Sequence, residues 1–167
     1  MRRVTALLRA RKGSATVEFA LTSLFLFGVL VVGLDFAMYA QQKLRLGDAV
    51  EQGAMIAFRA RTNAPTVDTS GITSYIASVA GGTPTISFEC NGSSSCGSGA
   101  TQSACVSAPA AANGWPTFTA STTTCASGGS PGYYLVIRAT RVHSSVIVPD
   151  KWLGGTTIVQ QAVVRLS

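Results

Sequence analysis

The stretch Phe19 to Leu34, FALTSLFLFGVLVVGL, constrains this chain more than any other feature. It is apolar or small throughout apart from Thr22 and Ser23, and it is bracketed by two acids, Glu18 and Asp35. At about 1.5 Å per residue, those acids stand roughly 26 Å apart along a helix. The hydrocarbon core of a bilayer is about 30 Å thick. The run therefore reads as a membrane helix, placed at 14–40, with its acids near the two interfaces. Asp35 is expected to mark the outer interface and nothing more.

The 167 residues allow one such helix and one modest domain. A formal charge of +6 invites a nucleic-acid reading. Its distribution excludes one. Arg2, Arg3, Arg9, Arg11 and Lys12 all precede the first acid, and without them eight bases face seven acids. No basic stripe remains to follow phosphates. A basic cluster before a membrane helix instead fixes topology, because flanking Lys and Arg stay on the cytoplasmic side. The C-terminal domain is expected to be extracytoplasmic.

The cysteines agree with export. Cys90, Cys96, Cys105 and Cys125 all follow the helix, and an even count outside the cytoplasm favours disulfides. Their spacings lack the close pairs of a zinc site. Three pairings are possible. Closure of local loops favours Cys90–Cys96 with Cys105–Cys125, against the alternative of free buried thiols.

The junction at Gly13 carries the most specific signal. A secretory signal peptide would have a shorter apolar region and a small-residue site closing it. Here Gly13 separates the basic and apolar segments, Ser14 follows, and Glu18 lies five residues beyond Gly13. The string Gly13-Ser14-Ala15-Thr16-Val17-Glu18-Phe19-Ala20 resembles the processing site of type IV pilins, and in particular the TadE-like pseudopilins of tight-adherence pili. The resemblance continues through Gly33-Leu34-Asp35-Phe36 and Tyr39-Ala40-Gln41-Gln42-Lys43-Leu44, and returns at Ile158 to Leu166. It covers roughly 10–62 and 132–167.

The resemblance implies removal of a leader, residues 1–13, by a prepilin peptidase that cuts between Gly13 and Ser14. It also implies partners: other pilin-like subunits, a pilus assembly platform and membrane lipid. A new α-amine at Ser14 would be largely protonated near neutrality. A carboxylate at the edge of lipid is costly unless paired. A neighbouring subunit's amine could pair with Glu18, next to Phe19, and so set the register between packed helices. The plainer reading is a Glu18 that snorkels to the cytoplasmic interface. Gly28 and Gly33 allow close helix approach, although their spacing is not G-x-x-x-G.

Beyond residue 40 the helix is expected to continue. Leu46, Val50, Gly53, Ala54, Ala57 and Ala60 recur at helical spacing over 41–62, with Asp48, Glu51, Arg45 and Arg59 largely off that stripe. A helix from about Thr16 to Arg61, roughly 69 Å long, would be ended by Asn63-Ala64-Pro65. The domain at 63–167 opens with a short helix built on Ile72, Tyr75, Ile76 and Val79. Asp68 or Ser70 would cap its start and Gly81-Gly82 its end. Strands are expected over Thr85 to Cys90, from Tyr133 to Val142, through Ser145 to Val148, and over Thr156 to Leu166. The Ser, Gly and Thr-rich stretch 90–131 reads as a loop held by cystines, with Trp115-Pro116 as its anchor or, alternatively, exposed for binding. The fold class is α+β: a long helix packed on a small antiparallel sheet with a cysteine-rich loop.

No catalytic, metal or cofactor motif is present. His143 is the only histidine and reads as a surface or edge-strand residue, and neither G-x-S-x-G nor H-E-x-x-H occurs. The leading expectation is a non-enzymatic TadE-like minor pseudopilin of the inner membrane. The alternatives are an uncleaved, membrane-anchored extracytoplasmic binding module and a general secretion pseudopilin.

Overall fold

The structure, a computed structural model, describes residues 2–60, 67–94, 96, 103–107, 114, 116–153 and 157–166, as backbone alone over 2–13 and at 150 and 153. Its spine is helix α1, Arg2–Arg59, which runs unbroken through Gly13 for 58 residues. That is about 87 Å at 1.5 Å per residue. The helix starts earlier than the expected Thr16. Leu, Arg, Lys and Ala dominate residues 6–12 and favour helix, and extending an existing helix is far easier than nucleating one. The expected stop at 63–65 lies outside the described residues.

The two halves of α1 have opposite surroundings. Nothing in its spanning window is buried by the rest of the chain. Farther on, Leu46, Ala49, Val50 and Ala57 are all nearly or fully buried. Ala49 joins the expected stripe, whereas Ala60 lies exposed. Two elements cover this face. Helix α2, Thr69–Ala80, crosses it with Ile72, Ile76 and Ala80, which recur every four residues and so share one side. Tyr75 and Val79 fall to the margin. Asp68 caps the start of α2, accepting from the amides of Ser70 and Gly71. Gly81, at φ +66°, closes its end. Arg141 then donates to the carbonyls of Ala80 and Gly81, at 3.1 and 2.9 Å.

The second cover is an antiparallel sheet of order β1-β4-β5, formed by Thr85–Cys90, Tyr134–Val142 and Thr157–Arg165. Alternation along β4 turns Leu135, Ile137 and Ala139 onto α1. The register sets Cys90 and Val164 beside Leu135, and Phe88 and Ala162 beside Ile137. Each large aliphatic side chain buried here contributes about 1.5–3 kcal/mol.

Two expectations change. The cysteine-rich stretch contains a hairpin of β2, Ala104–Ser107, and β3, Thr117–Ala120. Val106 and Phe118 stand opposite each other in that hairpin. Trp115 lies outside the described residues. Ser145 to Val148 forms no strand, because its amides have a partner other than a ladder, described next.

Candidate functional site

The first surface is the exposed rod. Ser14 and Glu18 are exposed, and Phe19 is 74% exposed. Within the rod, the Glu18 main-chain carbonyl accepts from the Thr22 hydroxyl at 2.8 Å. That bond stills one of the two polar side chains of the run. Phe25, Gly28, Val29 and Val32 line a shallow apolar groove of about 320 Å³. A Cβ added at Gly28 or Gly33 would meet nothing within 4 Å. The chain's own fold thus makes no use of those glycines.

The second surface is the join between rod and head. Asp35 is fully buried. Its Oδ1 accepts from the Val146 amide at 3.1 Å, and its Oδ2 from the Ile147 and Val148 amides at 2.7 and 2.9 Å. The expected idle interface marker is therefore the clamp that holds the β4–β5 connection on the helix. Ionised carboxylates accept such bonds more strongly than neutral groups do.

His143 is also corrected, from a surface or edge-strand residue to one only 2% exposed just past the end of the central strand β4. Its Nδ1 donates to Gln42 Oε1 at 3.1 Å, and its ring meets Tyr39 edge-on with centroids 5.4 Å apart. Nε2 has no hydrogen-bond partner among the described residues. Asp35, Tyr39 and Gln42 recur at helical spacing and form one face, onto which 143–148 folds. Sequence offered one faint signal for this site: a lone acid and a lone histidine, each next to an apolar run.

The third feature is the cystine region. Cys90–Cys96 and Cys105–Cys125 are disulfide-bonded, with no free cysteine. Cys90 belongs to the core. The hairpin is tied back to the head through reciprocal backbone bonds of Ala104 with Gly132, and through the Phe118 ring, 6.0 Å from that of Tyr134. Among the described residues no cluster of His, Cys, Asp or Glu could hold a metal ion.

These features define a class: a protein in which one helix among the described residues is long and apolar enough to cross a membrane and continues into the core of a disulfide-bonded α+β head. Residues 13–55 match the family model described as TadE-like protein. The match begins at the Gly13 junction and runs through the clamp residues into the buried stripe. Over that stretch the chain is similar to TadE-like proteins. No curated protein and no solved structure matches it.

Proposed function

We propose that the chain is a TadE-like minor pseudopilin, cut after Gly13 and taking part in assembly of a tight-adherence pilus, with roles in adherence and biofilm formation. The observation that carries this reading is the exposed apolar rod. A helix that leaves Phe19, Leu24, Phe25 and Phe27 more than half exposed needs lipid or other helices around it. The basic residues at its start support a cytoplasmic N-terminus with the head outside, across the inner membrane. The chain's partners are a prepilin peptidase, other pilin-like subunits with their assembly platform, and membrane lipid.

Gly13 lies inside α1. A peptidase that grips an extended backbone must therefore unwind the helix start locally. Glycine is where unwinding is least opposed, since it disfavours helix by about 1 kcal/mol relative to alanine. Cleavage removes the five bases and leaves the Ser14 amine about 6 Å below Glu18. A neighbour's amine then neutralises Glu18 and sets stagger between subunits.

The mature N-terminus tests this reading. Intact mass of the protein from its native host is expected to begin at Ser14. Met1 retained in cells with an active prepilin peptidase would instead make the chain a permanent anchor. Glu18→Ala is expected to insert normally and to assemble poorly; normal assembly would remove its role in register.

A further inference from the structure

The connection between β4 and β5 exposes apolar side chains where the head meets the rod. Because the amides of Val146, Ile147 and Val148 all turn to Asp35, the first two side chains splay outward, at 71% and 59% exposed. Val148 alone turns inward, at 3%. After Pro149 the chain forms a short 3₁₀ turn, Asp150–Leu153, that leaves Trp152 75% exposed with Lys151 beside it. Water is a poor environment for this set.

The neighbouring surface is the rod itself. Asp35 directly follows Leu34, which is 60% exposed, and precedes Phe36, at 44%. Val31, one turn below Asp35 on the same face, is partly buried. Val146 and Ile147, held to Asp35 through their amides, thus adjoin the exposed apolar surface of the rod. Tryptophan favours the membrane–water interface, where its ring is buried and its N–H stays wet. A lysine beside it can reach the headgroups. Backbone amides brought towards hydrocarbon must be satisfied internally, and Asp35 satisfies three in a row.

We propose that the β4–β5 connection is a second membrane contact. Val146, Ile147 and Trp152 dip into the headgroup boundary of the phospholipid leaflet on the head's side, and Asp35 holds the connection in that position. The proposal rests on the reading of α1 as membrane-crossing. It makes the head sit on the bilayer instead of swinging from it, so entry into a filament requires this contact to be released.

The test uses the full chain in vesicles of phosphatidylcholine and phosphatidylglycerol, with part of the lipid brominated either near the headgroup or near the chain end. The Trp152 signal is the emission of the wild type minus that of Trp152→Phe. Segments lying at the interface sit about 5–10 Å deep, so the shallow bromines are expected to quench that signal by roughly half and the deep ones much less. Val146→Ser/Ile147→Ser is expected to abolish the quenching while the chain stays resistant to alkaline extraction. An unquenched Trp152 on an extraction-resistant chain overturns this contact alone. A chain that washes out overturns both it and the membrane reading. Trp152 emission that is unquenched in dilute vesicles and shifts to the blue only at high protein density would assign the patch to a second copy, which also overturns the proposal.

Discussion

Gly53 packs tightly against α2, and Gly53→Ala isolates the consequence. An added Cβ would lie 2.8 Å from Ile76 Cδ1, 2.9 Å from Ile76 Cγ1 and 3.3 Å from Ile72 Cγ2. Carbon atoms pack best at about 3.5–4.0 Å, so α2 must retreat by roughly 0.7 Å. It cannot do so freely, since Ile76 is fully buried and Ile72 is 2% exposed. Overpacking of this kind costs about 1–3 kcal/mol. Alanine returns about 1 kcal/mol of helix propensity. The net expectation is about 0–2 kcal/mol of destabilisation, and a fall in Tm of about 4–8 °C for each kcal/mol lost.

The assay is thermal unfolding of the full chain in non-ionic detergent, followed by near-ultraviolet circular dichroism without reductant. Ile76→Ala provides the control. By itself it removes about 2–5 kcal/mol, but it deletes both Cγ1 and Cδ1, so the new methyl then fills part of the void. Gly53→Ala is expected to be stabilising in that background, with a coupling of about 1–2 kcal/mol between the sites. Gly28→Ala, which meets nothing, is expected to leave Tm unchanged or raised. If Gly53→Ala stabilises the wild type by the full propensity gain, and adds simply to Ile76→Ala, the close helix contact is wrong.

Asp35→Asn keeps the shape of the clamp but turns one acceptor oxygen into a donor. At least one of the Val146, Ile147 and Val148 amides then loses its partner, so exchange over 144–148 is expected to quicken by roughly tenfold or more, with the sheet unaffected; unchanged protection would refute the clamp. Replacing Cys105 and Cys125 by serine opens a loop with a sequence separation of 20 and is expected to cost about 3 kcal/mol on a chain-entropy basis, read by urea unfolding, whereas an unaltered midpoint would mean that the cystine constrains nothing. Asp68 is held below its ordinary value of 3.8 by the Ser70 hydroxyl and then by the Gly71 amide. A depressed carboxylate stabilises above its unfolded pKa and loses that contribution as pH falls through its folded one. Acidification below about 3.8 is therefore expected to loosen α2, and Asp68→Ala to flatten that part of the pH profile; a wild-type profile in Asp68→Ala would sink the assignment.

Much of the fold could be read locally. The Leu46, Val50, Gly53, Ala57 stripe needs only helical spacing, and the β-branched runs of β1, β4 and β5 need only alternation. Asp68 and Gly81 delimit α2 by their own chemistry. What escaped were the long-range bonds. Ser145 to Val148 has the composition of a strand, yet its amides go to a carboxylate more than 110 positions earlier. His143 is buried because Gln42 and Tyr39 meet it, and nothing near it in sequence announces them. The β2–β3 hairpin sits in a stretch too poor in large apolar residues to predict one. A cystine and the Ala104–Gly132 bridge supply the constraint that side-chain burial does not.

The clamp has a mechanical consequence that neither half of the chain has alone. One unbroken helix is long and apolar enough to cross a membrane in its first half and enters the core of the head in its second. The head cannot slide along it without breaking the Asp35 bonds, nor rotate around it without withdrawing Leu46 and Val50 from the core. A change in how the apolar half of α1 packs therefore moves the head with it. In a chain joined by a flexible linker the same change would be absorbed at the linker. The physical warrant for such coupling is an element whose position both ends bias. Here that element is α1 between Asp35 and Ala57, which lies largely within the TadE-like match.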